Sequence, residues 1–371
     1  MVTFLTEQRS QKILVQPMLL DQDEVYKKFD PEDIGYGIEH LPEQARIAWH
    51  DTRELTFPKN YGEISNIVIS GMGGSILGPH MLKCVFADRL SVPFELVSDY
   101  TLPNFVNKDS LVILSSYSGT TEETLAVAEQ AKTARAKIAV ICAGGALAER
   151  AKLEGWPLYV FEPGDLAKQP RYGTGFSLVG IMGMLERMGV LKIKETEVAS
   201  MMSAMGEVID NCATDVPAAE NPAKEVALEI VNRSIVIIAA EHLSGNAHIL
   251  QNQLNESAKQ FATYQLLPEL NHHFLEGLSN PVGQAQNTTA ILLRSSHYHE
   301  RTQKRCDITA DILEKKGITV IEYATKGDSR LDEVGEVLQF GSYVGLYLAL
   351  LNGVVTTDTA TIFEFKKRMN E

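Results

Sequence analysis

The sequence predicts an α/β fold of two tandem, doubly wound parallel sheets of flavodoxin-like type, preceded by an N-terminal helical arm. Short apolar runs alternate with helical segments from Ile67 onward. A polar, proline-containing stretch at 211–222 interrupts this alternation, which restarts at Ser234. Alternation of this kind is typical of parallel sheets covered by helices on both faces. The chain of 371 residues is also long enough to bury two medium cores.

The elements follow in order along three predicted segments. Residues 1–50 are polar with short apolar clusters and predict the helical arm. The first sheet domain, residues 51–210, has apolar runs at 67–69, 94–97, 111–114, 138–141 and 158–161. The second, residues 211–371, has runs at 234–239, 263–267, 289–293 and 319–323. Between them the pattern predicts helices that include 121–134, 244–260 and a terminal helical region from 333 onward.

Two turns of small residues each follow a predicted strand and lead into a predicted helix. The first is Ser70 to Ser75, with glycines at 71, 73 and 74, and the second is Ser115 to Glu123. Glycines let a backbone approach a ligand closely, and the amides that begin a helix present partial positive charge. The two turns therefore predict an anion site, and a phosphorylated small molecule is its natural occupant.

The hydroxyls of the second turn also have an ordinary structural interpretation. They would simply cap the following helix, and the spacing of Thr120 and Glu123 fits a capping box. We favour this interpretation for Thr120. Ser116 and Ser118 together favour ligand binding.

Composition excludes several other classes of protein. A net charge of −14 disfavours a nucleic-acid partner, because a phosphate backbone would be repelled by the average surface. The first glycine turn lacks a dinucleotide fingerprint, since Ile76 stands where the third glycine is required. The four cysteines are widely spaced, without a CxxC pair, which indicates free thiols in a reducing compartment. No signal-peptide core or uninterrupted membrane span is present, so we expect a cytoplasmic protein without a membrane partner.

At these turns and in three further elements, the chain resembles the sugar isomerase (SIS) domain family, and within it the bifunctional phosphoglucose/phosphomannose isomerases. The resemblance spans both predicted domains, in the family's order. It rests on Gly71-Met-Gly-Gly-Ser75, Ser116-Tyr-Ser-Gly-Thr-Thr-Glu-Glu-Thr124, Pro170-Arg171, Asn252-Gln-Leu-Asn-Glu256-Ser-Ala-Lys259 and Pro268-Glu-Leu-Asn-His272. It implies an aldose–ketose isomerase of carbohydrate metabolism, in glycolysis or gluconeogenesis. Such an enzyme interconverts glucose 6-phosphate or mannose 6-phosphate with fructose 6-phosphate through a cis-enediolate, without metal or cofactor.

The resemblance implies that the two turns bind the phosphate. The phosphate-binding residues are then Gly73, Gly74, Ser75, Ser116, Ser118 and Thr121.

The resemblance also assigns the chemistry to four side chains. Glu256 is the general base, although a Glu256–Lys259 pair at this spacing would ordinarily be a solvated surface pair. Arg171 stabilises the enediolate, a task that suits a permanently charged guanidinium. His272 opens the sugar ring from the partner subunit, which implies a homodimer with active sites at its interface. His273 is the alternative, because the positions that follow depart from the family's pattern.

A C-terminal lysine and a threonine complete the implied site. Lys366 assists ring opening, with Lys367 as the alternative, and Thr359 lines the pocket that admits mannose. Three nearby threonines, Thr356, Thr357 and Thr361, remain alternatives for that role. The apolar terminal helix at 343–351 suits either a dimer contact or packing within the chain.

Two other functions remain open from sequence alone. The same fold binds phosphosugars in regulators that do no chemistry, and other isomerases act on amino sugars or heptoses. Regulators need only the two hydroxyl-rich turns. The presence of Glu256, His272, Arg171 and Lys366 together therefore favours an enzyme.

Overall fold

A computed structural model describes residues 18–369 and 371, and contains two fully parallel sheets. The first has the strand order β2-β1-β3-β4-β5 and the second the order β7-β6-β8-β9. The strands of the first sheet are β1 (Asn66–Ser70), β2 (Phe94–Val97), β3 (Ser110–Ser116), β4 (Lys137–Cys142) and β5 (Leu158–Val160). Those of the second are β6 (Ser234–Ala240), β7 (Ala262–Leu267), β8 (Thr288–Arg294) and β9 (Thr319–Ala324). The predicted fold class is confirmed.

Helices cover both sheets and occupy the ends of the described chain. Before the first sheet lie α1 (Asp23–Phe29), α2 (Ile34–Glu39) and α3 (Leu41–Arg53). The first half contains α4 (Gly74–Val85), α5 (Glu122–Thr133), α6 (Gly145–Glu154), α7 (Thr174–Arg187) and α8 (Glu195–Cys212). The second contains α9 (Pro222–Ile230), α10 (Ser244–Glu256), α11 (Phe274–Gly277), α12 (Glu300–Lys315), α13 (Arg330–Asn352) and α14 (Ala360–Met369).

The helices of the predicted arm lie against the first sheet domain. Leu41, Ala45 and Ala48 of α3 are buried, and α3 packs along α7. Burial of this apolar face against α7 stabilises the arm on the domain, because apolar surface is removed from water. Residues 1–17 of the predicted arm lie outside the described residues.

The central pair of strands in the first sheet determines where the site lies. β1 and β3 are adjacent and parallel, and Ile69 is in register with Ile113. Strand β2 lies on one side of this pair and β4 on the other. The chain therefore runs from β1 to one side of the sheet and from β3 to the other side. In open parallel sheets, ligands bind at the carboxyl ends of the strands where the direction of the connections changes in this way.

The halves meet closely where α4 crosses α10. A Cβ built on Gly245 would lie 2.6 Å from the Cα of Met81, so this position admits only glycine without a backbone shift. At the same crossing the rings of His80 and His248 lie 4.1 Å apart, centroid to centroid. The start of α4 and the end of α10 are thus held in a fixed relation.

Helix α13 is buried in the core of the chain. Its residues Tyr343 and Leu350 are 0% and 1% exposed, and it packs against α8 and α9. Of the two interpretations of the segment 343–351, packing within the chain is therefore confirmed and a dimer contact is wrong. By length and composition α13 is the one described helix able to cross a membrane, but 94% of its most apolar window is buried inside the protein. A core helix meets the same criteria.

Candidate active site

The first small-residue turn joins β1 to α4 and lies against the backbone of Arg171. Gly73 precedes the helix with φ +51°, a conformation that glycine adopts without strain. A Cβ on Gly74 would lie 2.5 Å from the carbonyl carbon of Pro170 and 2.6 Å from the amide nitrogen of Arg171. The absence of a side chain at Gly74 therefore allows the turn to contact the segment that carries the arginine.

The second turn, between β3 and α5, is held by its own hydroxyls. The Ser116 and Thr121 hydroxyls lie 2.8 Å apart, and the Gly119 amide donates to Ser116 Oγ over 3.1 Å. Ser118 is exposed, and its Oγ accepts from the amide and the hydroxyl of Thr120. The helix begins after Thr121, with no side-chain cap, so the predicted capping box of Thr120 and Glu123 is wrong. Thr120 bonds back into the turn instead.

The two turns are bonded to each other. The amide of Tyr117 donates to Ser75 Oγ over 2.8 Å, and the Ser115 hydroxyl donates to the Ser75 carbonyl over 2.7 Å. Gly73 and Ser118 are exposed beside this junction, where α4 and α5 begin. The structure thus brings both turns, with two helix N-termini, to the carboxyl ends of β1 and β3.

Arg171 is buried, with 2% of its side chain exposed, and its guanidinium has partners on two other segments of the chain. Nε donates to Ser257 Oγ over 2.8 Å and Nη1 donates to Glu256 Oε1 over 2.8 Å. Nη2 donates to the carbonyl of Thr356 over 2.7 Å. Three contacts fix a planar cation in one orientation, which a lysine ammonium does not reproduce.

Glu256 is the last residue of α10, and its side chain is 29% exposed. The helix ends here, four residues before the predicted Gln260, because Lys259 adopts φ +52°. Lys259 Nζ donates to the carbonyls of Glu256, Ser257 and Val355. The ordinary interpretation of Glu256 and Lys259 as a solvated pair is wrong, since the carboxylate bonds to Arg171 and the ammonium to carbonyls.

Lys259 is exposed, and its ammonium lies near the buried guanidinium of Arg171. Burial lowers the pKa of Lys259, and the nearby Arg171 adds to that effect. The carboxylates of Asp358 and Glu256 act in the opposite direction. The carbonyl cluster that holds Lys259 fixes the turn after α10 and with it the position of Glu256.

His272 lies on the surface of the chain. It ends the 3-10 turn Glu269–His272, and both it and His273 are exposed. The preceding Asn271 is anchored, because it donates to Thr309 Oγ1 over 2.9 Å and accepts from Arg305 over 3.0 Å. Among the described contacts, no hydrogen bond or ion pair joins His272 to Arg171 or Glu256 of the same chain.

The C-terminal candidates divide between the site and the surface. Thr356 is fully buried and its carbonyl contacts Arg171, whereas Thr359 precedes α14 and its carbonyl accepts from the Phe363 amide. Lys366 is exposed on α14. The structure therefore brings Arg171, Glu256 and Thr356 together within one chain, and leaves His272 and Lys366 on its surface.

Ser257 was missed by sequence reasoning. It is fully buried, and its Oγ accepts from Arg171 and also from the Tyr172 hydroxyl over 2.9 Å. A signal was available, because Ser257 directly follows the proposed base within a motif of the family. A small polar residue beside a buried arginine is a natural partner for it.

Within the described residues, no group of three or more His, Cys, Asp or Glu side chains has the geometry to hold a metal ion. His242 is buried and lies 2.5 Å from Glu333 Oε2, an internal pair far along the chain from the turns. The four cysteines are free. The two small-residue turns at helix N-termini and the buried arginine are groups suited to bind an anion.

Comparisons with known proteins agree with this geometry. The SIS domain family model matches residues 63–154, and that of the bacterial phospho-glucose isomerase C-terminal SIS domain matches residues 219–369. A bifunctional phosphoglucose/phosphomannose isomerase of Aquifex aeolicus is 33% identical over 328 residues, covering 88% of this chain and 95% of the relative. The chain belongs to the bifunctional phosphoglucose/phosphomannose isomerase family.

Further similarity to the bifunctional phosphoglucose/phosphomannose isomerases extends over nearly the whole chain. A relative of that name from Caldicellulosiruptor bescii is 29% identical over 339 residues, covering 90% of this chain and 98% of the relative. The fold is also found in a solved structure, described as a hypothetical protein of Thermus thermophilus, with a TM-score of 0.73 and 17% identity. That match covers 98% of this chain and 95% of the other. The family resemblance drawn from the motifs is therefore confirmed.

Proposed function

We propose that the chain is an aldose–ketose isomerase that interconverts glucose 6-phosphate, mannose 6-phosphate or both with fructose 6-phosphate. Two relatives that it matches over most of their length have names that specify both activities, and the chain contains the groups this chemistry needs. The observation that carries the proposal is the 2.8 Å contact between the buried Arg171 and the carboxylate of Glu256. It puts a proton acceptor and a fixed cation side by side, and the backbone of Arg171 lies against the first glycine turn.

The proposed phosphate site consists of the two turns. Helix α4 begins at Gly74 and α5 at Glu122, so both turns lie at helix N-termini, where partial positive charge favours an anion. We assign the phosphate to Gly73, Gly74 and Ser75 of the first turn and to the hydroxyls of Ser116, Ser118 and Thr121 in the second. Binding of the phosphate at the end of the sugar fixes the distance from the phosphorus to C1 and C2. Proximity of this kind supplies a large part of the rate enhancement of an isomerase.

Proton transfer is assigned to Glu256. Its carboxylate takes the proton from C2 of the open-chain aldose, and the electron pair left behind forms the C1–C2 double bond while the carbonyl oxygen at C1 gains negative charge. The proton of the O2 hydroxyl is then transferred to O1, and return of the first proton to C1 re-forms the carbonyl at C2 and gives the ketose. The partial exposure of Glu256 supports this role, since a base must reach the substrate.

Arg171 is assigned to the enediolate. The charge that develops on the O1 and O2 atoms needs a donor that keeps its proton and does not have to move. The guanidinium is held by Ser257 and Thr356 as well as by Glu256, so its orientation is set before the substrate arrives. A regulator that only bound phosphosugars would need the two turns alone, and the Arg171–Glu256 pair therefore favours the enzyme.

Ring opening is assigned to His272 of a second copy of the chain, with Lys366 assisting and Thr359 lining the pocket. We infer a homodimer because His272 is exposed and, among the described contacts of its own chain, has no hydrogen bond or ion pair to Arg171 or Glu256. The helix α14, which carries Lys366, supports this inference. Its four large apolar side chains are exposed by 43% to 72% and are accessible for a contact between copies: Ile362, Phe363, Phe365 and Met369.

The proposal includes the domain division and the compartment. A helical arm over 1–50, a first SIS domain over 51–210 and a second over 211–371 are supported by the two separate sheets. A cytoplasmic location is supported by the free cysteines, which persist in reducing compartments. The proposed chemistry uses no metal or cofactor.

A coupled assay of the purified protein with fructose 6-phosphate tests the function. Glucose 6-phosphate and mannose 6-phosphate are measured separately, with and without a chelator. We expect both products at rates that the chelator does not change. Glucose 6-phosphate alone would limit the proposal to one substrate pair. Neither product, with fructose 6-phosphate still bound in calorimetry, would favour a phosphosugar regulator or a different phosphosugar.

A further inference from the structure

The segment that holds Arg171 from the C-terminal side is itself bonded to the N-terminal arm. Thr356 is fully buried, and its amide donates to the carbonyl of Phe29 over 2.9 Å. Its hydroxyl donates to Oδ1 of Asp30 over 2.8 Å. Since the carbonyl of Thr356 accepts from Arg171, two hydrogen bonds in series connect the Asp30 carboxylate to the guanidinium.

Asp30 is a buried carboxylate with a defined orientation. It is 6% exposed, in the loop between α1 and α2. Oδ1 also accepts from the Ile34 amide over 3.0 Å, and Oδ2 accepts from the Gly35 amide over 2.9 Å. Burial raises the pKa of Asp30, and its hydrogen bonds to Gly35, Thr356 and Ile34 oppose that shift. The backbone amides of α2 therefore hold the Asp30 carboxylate in place, and this carboxylate in turn holds the Thr356 hydroxyl.

The same short segment also meets the second cation of the site. The carbonyl of Val355 accepts from Lys259 Nζ over 2.9 Å, one residue before the carbonyl that binds Arg171. A displacement of residues 355–356 would therefore release contacts to Arg171 and Lys259 together. Both side chains set the position of Glu256, Arg171 directly and Lys259 through the turn after α10.

We propose that Asp30 is a positioning residue for isomerisation: by holding Thr356, it keeps Arg171 in the orientation that stabilises the enediolate. This inference rests on the proposed function. Asp30 does not touch the sugar. Its effect falls on the step at which negative charge develops near Arg171, and not on binding of the phosphate, which depends on turns that Asp30 does not contact.

The test compares Asp30→Ala and Thr356→Val with the wild type. Thr356→Val removes only the hydroxyl that reaches Asp30 and keeps the side-chain shape, and Thr356→Ser restores the hydroxyl. Asp33→Ala is the matched control, because it removes an exposed carboxylate from the same loop and the Tyr36 cap but has no bond to Thr356. Thermal midpoints of all variants are recorded alongside the kinetics.

We expect Asp30→Ala and Thr356→Val to lower kcat by about tenfold or more while KM stays within about threefold. Two ligands separate positioning from general structure. A five-carbon aldonic acid phosphate carries a carboxylate where the enediolate oxygens develop, whereas glucitol 6-phosphate is uncharged there. Affinity for the aldonate should fall roughly in step with kcat, affinity for glucitol 6-phosphate should stay constant, and Thr356→Ser should recover most of both losses.

Three results would overturn the inference. The first is a kcat within about twofold of wild type in both folded variants. The second is an equal loss of affinity for the aldonate and for glucitol 6-phosphate, which indicates a structural role only. The third is a loss of kcat in Asp33→Ala as large as in Asp30→Ala. An inactive wild-type protein would instead overturn the proposed function and this inference with it, so the two failures are distinguishable.

Discussion

The guanidinium of Arg171 donates to the carboxylate of Glu256 over 2.8 Å, joining residues that lie 85 positions apart and on opposite sides of the boundary between the two sheets. Arg171 follows β5, at the end of the first sheet, and Glu256 ends the first helix after β6. The close crossing of α4 and α10 keeps this contact in a fixed relation to the first glycine turn.

Replacing the arginine by lysine tests the value of its shape. Arg171→Lys keeps the charge but cannot bond to Ser257, Glu256 and Thr356 at once, so we expect kcat to fall by about tenfold or more with a smaller change in KM. Steady-state kinetics with fructose 6-phosphate measure both. The control is Arg187→Lys, at an exposed position of α7. An Arg171→Lys enzyme as active as this control would show that the charge alone suffices.

The contact of the first turn with the arginine segment makes a steric prediction. Gly74→Ala puts a Cβ within 2.5 Å and 2.6 Å of backbone atoms of Pro170 and Arg171, which no side-chain rotation can relieve. We expect reduced thermal stability and a large loss of turnover. Gly206→Ala in α8 is the control, since a Cβ there meets nothing within 4 Å. For Gly206→Ala we expect unchanged activity and a gain in stability of up to about 1 kcal/mol, because alanine has a higher helix propensity than glycine. Equal behaviour of the two variants in thermal unfolding would contradict this account of the turn.

The proposed sharing of the site between two copies predicts complementation. A Glu256→Gln chain still supplies His272, and a His272→Ala chain still supplies Glu256. When the inactive proteins are mixed and exchange subunits freely, half of the dimers are mixed and each has one complete site, so activity should recover to about a quarter of wild type. Subunit exchange is verified by mass tagging. No recovery after verified exchange would mean that each site is built within one chain.

The histidine pair at the crossing of α4 and α10 predicts a pH dependence of stability. Burial lowers the pKa of His80 from 6.5 to about 4, with contributions from His248 and Lys83, and burial also lowers the pKa of His248. The unfolded chain therefore takes up protons at higher pH than the folded one. The contribution of the neutral histidine pair to the free energy of unfolding is complete above pH 6.5. It is lost as the pH falls toward about 4.

Urea unfolding of wild type and His80→Gln across this pH range measures that contribution. Lys83, Cys84 and Tyr264 lie around the pair, and none of these three has an ordinary pKa between 4 and 6.5. We expect a smaller loss of stability on acidification in His80→Gln. The exposed His50→Gln serves as control. Identical pH profiles for wild type and His80→Gln would contradict the assignment.

Continuous apolar runs made the sheets predictable. Residues 111–114 are all buried in β3, as expected for a parallel strand covered on both faces. The glycine turns were also predictable, because a position where two backbone segments lie close together has no room for a side chain larger than that of glycine.

The support of Arg171 was not predictable from local pattern. Asp30 and Thr356 lie 326 positions apart, and no periodicity relates them. The end of α10 at Glu256 was missed because it depends on the left-handed conformation of Lys259, whose ammonium bonds to the distant carbonyl of Val355. The burial of α13 was one of two open interpretations, since an apolar face does not reveal what covers it.

The most direct test of the central claim is proton transfer by Glu256. Fructose 6-phosphate is incubated in deuterated water with wild type and with Glu256→Gln, and deuterium at C2 of the aldose product is followed by NMR. Substrate affinity is measured by calorimetry, and Glu229→Gln, at an exposed position of α9, is the control. We predict deuterium incorporation by wild type and the control, and a loss of about a hundredfold or more in Glu256→Gln with substrate binding retained. Turnover and exchange by Glu256→Gln at rates near wild type would contradict the account.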